Sequence, residues 1–286
     1  MPGTETETEP AAVSAWKQRW KEDEEKSRTM VAKSGGFLVL YFNQSLDTRV
    51  VKNGGICFGI TLNWLSAHLC GTAQVSNFVK EFKDGIEKGS WLPSLTTMRG
   101  SKPSSESGRY VRFVPSKYIE QQYEYESIFE KLQDEVNREM KKALKYANST
   151  GNAVDLQGYL DVAYLSSINV KVAKLERAQF KGLLQDQRRH RSFDACMQYM
   201  EGSYSSTKLA GSQKCTFMVC TDDHAMGVQF DEPESDGGYH FIDPNMGIFI
   251  FLEVGDLRKF VVNEVGARYK GKTVTTYELG LSPVST

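Results

Sequence analysis

Cys57 stands directly after Gly54-Gly55-Ile56 and opens the apolar run that continues to Leu69. Paired glycines let the backbone turn sharply into a helix. The first amides of that helix, lacking helical acceptors, can stabilise negative charge on sulfur or on a reacting oxygen. A thiol so placed, with an imidazole beside it, is a nucleophile. A free cysteine taken alone is more often a small buried hydrophobe, so its companions decide the reading. His224 follows Thr221-Asp222-Asp223 at the start of one β-type run, and Asp243 closes the next, in Phe241-Ile-Asp-Pro-Asn-Met-Gly247. Neighbouring antiparallel strands bring an imidazole and a carboxylate side by side, the arrangement that sets the histidine tautomer in nucleophile, base and orienter triads.

The elements that must position these residues are legible from pattern. Residues 56–69 carry apolar side chains all round, which predicts a central buried helix. Val75 to Glu87 predicts a second helix, and Tyr118 to Ala147 one or two amphipathic ones, with 103–108 a loop between them. Ser14 to Ala32, rich in Lys and Glu, suits an exposed helix ended by Gly35-Gly36, and Phe37–Phe42 reads as a strand. Ser192–Met200 predicts a short helix after a polar, Arg-rich connection. From Cys215 onward, runs at 215–221, 224–230, 238–243 and 247–251 alternate with turn residues, as in an antiparallel meander. Helices first and strands later is the α+β signature. A disordered tail at 1–13, a helical segment at 14–34 and a catalytic domain at 35–286 with a helical insertion around 110–200 are the expected divisions.

The segments Gly54-Gly55-Ile-Cys57 with Trp64 on the following helix, Asp223-His224-Ala225-Met226, and Phe241-Ile-Asp243-Pro-Asn-Met-Gly-Ile-Phe249 resemble the three motif blocks of the YopT/AvrPphB cysteine proteases. The resemblance covers short blocks only and leaves 72–214 unmatched. It implies a papain-like fold and a bacterial effector or toxin. Within it Cys57 is the nucleophile, His224 the general base and Asp243 the residue that orients the histidine. A protein substrate is then cleaved through a thioester, with no metal or organic cofactor. Papain-like enzymes also supply a side-chain amide to the oxyanion hole; Asn53 is the nearest candidate, with Asn43 and Gln44 as alternatives. A papain-like deamidase or transglutaminase uses the same chemistry up to the thioester, and a binding module that retains only the shell is the non-catalytic alternative.

The remaining composition narrows the class. The 286 residues hold 40% hydrophobic and 25% charged residues, as in an ordinary globular chain. Lys and Arg number 35 against 36 Asp and Glu, which argues against a dedicated nucleic-acid binder. The five cysteines lack zinc-site or disulfide spacing and read as free thiols, with Cys215 and Cys220 in the core. No apolar run is long enough for a membrane span, and the first residues lack the pattern of a secretory signal. Delivery by a specialised secretion system into a target-cell cytoplasm, with the polar N-terminus as an export or chaperone-binding region and an immunity protein as another candidate partner, follows from resemblance and composition. His68, three turns beyond Cys57, reads as a packed histidine. His240 faces away from Asp243 on its strand, and His190 belongs to a solvated basic loop.

Overall fold

A computed structural model describes residues 11–47, 50, 55–87, 92–93, 109–110, 113–120, 122–123, 180–209, 214–231 and 238–283. Its centre is a seven-stranded antiparallel sheet. In chain order its strands are β1 (Gly36–Leu40), β4 (Phe180–His190), β5 (Lys214–Cys220), β6 (Ala225–Asp231), β7 (Tyr239–Asp243), β8 (Gly247–Phe251) and β9 (Val274–Pro283). They lie side by side as β1-β8-β7-β6-β5-β9-β4. A separate two-stranded pairing joins β2 (Leu92–Pro93) to β3 (Arg109–Tyr110).

The helices are α1 (Ala11–Lys33), α2 (Cys57–Cys70), α3 (Thr72–Glu87), α4 (Phe193–Leu209) and α5 (Val254–Lys259), which runs on through a wider turn to Arg268. Alternation along the strands sorts the core into two halves. Met218, Ala225, Ile242 and Ile248 join Trp64, Leu65 and Phe82 on the α2–α3 face. Phe217, Val228, Phe241 and Phe249 join Met197, Met200 and Phe260 on the α4–α5 face. Both faces are covered, which explains why β6 is buried along its whole length.

α2 belongs in the interior because it has no polar face: Ile60, Trp64 and Leu65 are fully buried. It meets the sheet at Gly227, where a Cβ would stand 2.9 Å from the Trp64 ring and from Ile242. Thr61 Oγ1 donates to the Ala225 carbonyl at 3.0 Å, fixing the helix against the start of β6. At the other end of the site, the chain reverses between β7 and β8 through Gly247, at φ +115°, where a Cβ would lie 2.3 Å from the Leu40 carbonyl.

The sheet and the buried helix agree with the α+β pattern expected from sequence. Two elements differ from expectation. The Arg-rich stretch before Ser192, expected as a loop, is the end of β4, paired with β9 from Phe180↔Pro283 to His190↔Val274. Its polar side chains mask the strand because it lies at the sheet edge and has only one neighbour. β9, which runs between β4 and β5, is not among the expected strands although Val274-Thr-Thr-Tyr277 carries β-forming residues. The residues 1–10, and most of the expected helical insertion, lie outside the described residues.

Candidate active site

Gly55 has φ +107°, and the chain passes through Ile56 directly into α2, whose first residue is Cys57. Ile56 offers no side-chain cap, and the Gly59 amide is met from a distance by Gln122 Oε1 at 3.1 Å. The Cys57 amide, in the first turn, has no acceptor within its own helix. Its thiol is half-buried and stands beside the imidazole of His224, which favours its charged form.

His224 ends the tight turn before β6, closed by the Thr221 amide donating to the His224 carbonyl at 2.8 Å. Its Nε2 lies 2.7 Å from Asp243 Oδ1 at the end of β7, so Nδ1 is the nitrogen left for sulfur. Asp243 is fully buried. The Asn245 amide donates to Oδ1 at 2.8 Å and the Tyr269 hydroxyl donates to Oδ2 at 3.0 Å. The Tyr269 ring also stacks on the imidazole, with centroids 5.1 Å apart and planes 16° from parallel. The histidine is thereby held by a carboxylate at its edge and an aromatic plane on its face.

Electrostatics follow from this packing. Burial pushes the Cys57 thiol up, but the hydrogen bond and positive charge of His224, aided by the Ala225 amide, more than offset it and leave the thiol below its ordinary value. Burial pulls His224 down, while Asp243 and Cys57 raise it to about 10. Asp243, raised by burial, is brought below the usual carboxylate range by His224 and Asn245. All three effects favour a thiolate, an imidazolium and a carboxylate in a row.

A cleft of about 480 Å³ opens over Cys57 and His224, walled by Gln44, Gly55, Asn245, Arg268, Tyr269 and Lys272. Gln44, of the short 3₁₀ turn Gln44–Leu46, accepts from the Ile56 amide at 2.9 Å. Its Nε2 donates to Asn245 Oδ1 at 3.1 Å, which leaves the second amide hydrogen unspent. Asn43, by contrast, caps its own turn, accepting from the Ser45 amide at 3.0 Å and hydroxyl at 2.7 Å. Asn53 lies outside the described residues.

The structure thus brings together Cys57, His224 and Asp243, and adds Gln44, Asn245 and Tyr269. It separates the other histidines from them. His68 packs edge-on to Trp64 at 4.2 Å, with its ring 4.9 Å from that of His240, on the α2 face of the sheet. His190 meets Thr276 Oγ1 at 2.9 Å, in a strand and not in the expected loop. Tyr269 carries no sequence signal, since it lies well downstream of the motif blocks at the end of a different helix. No group of three or more His, Cys, Asp or Glu suited to a metal ion occurs among the described residues. No helix there is long and apolar enough to cross a membrane.

No protein-family model matches the chain, and no curated protein matches it in sequence. Among solved structures it is similar to PatoxP, a cysteine protease-like domain of the Photorhabdus asymbiotica toxin PaTox. The two share 12% identity at a TM-score of 0.44, over 92% of this chain and 59% of that one. It is also similar to the Pseudomonas avirulence protein AvrPphB, at 12% identity and TM-score 0.36, over 83% of this chain and 97% of the other. A third similar chain is the ubiquitin-specific protease encoded by murine cytomegalovirus tegument protein M48, at 12% identity and TM-score 0.26, over 46% and 68%.

Proposed function

We propose that this protein is a papain-like cysteine protease of the effector or toxin type, with Cys57 as nucleophile, His224 as general base and acid, and Asp243 as its orienting carboxylate. The observation that carries the reading is one imidazole that shares a cleft with a thiol at a helix start and lies 2.7 Å from a buried carboxylate. The Cys57 thiolate adds to the scissile carbonyl carbon, and the carbonyl electrons move onto oxygen. The Cys57 amide and the free amide hydrogen of Gln44 receive that oxyanion, each a donor fixed before charge develops. Collapse expels the amine with the proton from His224 and leaves a thioester. His224 then takes a proton from water, which hydrolyses the thioester and regenerates the thiolate and imidazolium. Asp243, held by Asn245 and Tyr269, keeps Nδ1 facing sulfur and takes up no proton.

The proposed setting is a target-cell cytoplasm reached by a specialised secretion route, on the strength of the three motif blocks. The test is expression of the wild type beside Cys57→Ala and His224→Ala, with mapping of new protein N-termini. Both variants should lose activity by several orders of magnitude; Cys57→Ala should melt close to the wild type, while His224→Ala, which leaves the buried Asp243 without its cationic partner, should melt lower yet still unfold cooperatively. Asp243→Ala should fall less far, and Asp243→Asn should show the same defect with the packing retained. Full activity in Cys57→Ala or His224→Ala, or a mass change at glutamine in place of chain cleavage, overturns the reading.

A further inference from the structure

A second depression lies beside the cleft. That hollow, of about 620 Å³, shares Tyr269 and Lys272 with the cleft wall and is otherwise bounded by the end of β4, the start of α4 and the 270–273 turn. The shared residues set the two side by side, so that a chain leaving the cleft over Tyr269 and Lys272 takes a path along the second depression.

That path is positively charged. Arg268 lies on the cleft, and Arg189, Arg191 and Lys270 line the depression, with Lys272 between. The acidic residues on the walls are already engaged. Asp223 pairs with Lys272 at 3.0 Å, and Asp194 pairs with Arg258 at 2.7 Å. Arg268, Arg191 and Lys270 are exposed and form no salt bridge with any described residue. The whole chain is nearly neutral, at a net charge of −1, so the strip is a local segregation of charge beside the nucleophile. Positive walls around a low-dielectric cleft concentrate anionic segments and speed their capture.

We infer that the substrate is an acidic polypeptide segment, one carboxylate meeting Arg268 close to the scissile bond and further carboxylates passing the Lys272–Asp223 pair to reach Arg191 and Lys270. The inference rests on the proteolytic reading, and it names the substrate class for that site. An arginine in the cleft accepts a carboxylate through two parallel N–H donors, which sets register. The exposed cations beyond it act through their summed field, which sets capture rate and makes it salt-dependent.

The experiment uses the full-length chain and has two arms. In the first, new N-termini in a target-cell lysate are compared between wild type and Cys57→Ala. Cys57-dependent sites should carry Asp or Glu clustered on one side of the cleaved bond. In the second, peptides spanning a mapped site are made with acidic, amide and basic flanks. Wild type should cleave the acidic peptide roughly tenfold more efficiently than the amide form, by kcat/KM, with the preference shrinking at high salt. The Arg191→Glu/Lys270→Glu variant should lose that preference and gain on the basic peptide, a gain that misfolding cannot produce. Cys57-dependent sites with neutral or basic flanks, or a flank preference unchanged in the double variant, overturn the inference and leave the protease reading standing. Co-sedimentation with phosphatidylserine vesicles that the double variant loses, with its peptide preference unchanged, also overturns it by assigning the strip to a membrane. No Cys57-dependent terminus at all overturns both.

Discussion

Asp243 holds the imidazole through Oδ1 while Tyr269 engages Oδ2, and that carboxylate determines how the pair of Cys57 and His224 responds to pH. With the thiol lowered and His224 raised to about 10, the ion pair is favoured between those two values. On the proposed mechanism, a rise of pH through the thiol's lowered value forms the nucleophile, and a further rise through about 10 removes the acid that protonates the leaving amine. The expected kcat/KM profile is a bell whose acid limb lies below the ordinary thiol value of about 8.5 and whose alkaline limb lies near 10. Its two apparent values belong to the coupled pair. A profile that simply rises with an unperturbed thiol would sink the ion pair. Gln44 is a sharper test of the oxyanion assignment. Gln44→Ala should lower kcat by about 10²–10³ with little change in KM, as loss of one such donor does. The proximity of Cys57, His224 and Asp243 was legible because glycines, a strand start and a turn mark their places in sequence. Gln44 and Tyr269 were harder to see, since each reaches the site by tertiary packing that leaves no local spacing behind.

Among elements, α2 has to deliver Cys57 to the open ends of β6 and β7, and its depth is set by Gly227. An alanine there would gain about 0.4–1 kcal/mol by restricting the unfolded chain. Its methyl would also meet the Trp64 ring and Ile242 at 2.9 Å and Leu65 at 3.0 Å, all side chains of the core. Overpacking of this kind costs typically about 1–3 kcal/mol, so the clash wins and Gly227→Ala should be destabilising. A urea midpoint above that of the wild type would show that α2 can withdraw without cost. The same balance of packing and pattern explains which elements were legible. α2 announced itself by apolar residues on every side, and β5 to β8 by short runs between turns. The end of β4 did not, because Arg188 and Arg189 are exposed at an edge where pairing to β9 replaces hydrophobic pattern as the organising force.

For the molecule as a whole, the two faces of the sheet carry opposite pH dependences. On the α5 face, His224 is raised, so its stabilisation is complete below the unfolded histidine value of about 6.5 and is lost as pH climbs through about 10. On the α2 face the sign reverses. Burial lowers His240 to about 4, with Asp231 opposing and Lys214 adding to the effect. Burial, His240 and Lys214 hold His68 well below its ordinary value. His68 Nε2 is buried with no hydrogen-bond partner among the described residues, so a proton there would meet no acceptor. The folded protein therefore binds fewer protons than the unfolded chain between about pH 6.5 and 4, and stability must fall as the solution is acidified through that window. For His240 alone the loss is on the order of 3 kcal/mol, since each pH unit between its unfolded and folded values is worth about 1.4 kcal/mol. Thermal melts at steps from pH 7 to 4 should show this decline, and His240→Gln, which cannot protonate, should flatten it while leaving Cys57 and its partners, at the other end of α2, untouched. An acid limb equally steep in that variant would mean that His240 is accessible to protons in the folded state, and that the packing of α2 on the sheet is looser than the contact between the two imidazoles implies.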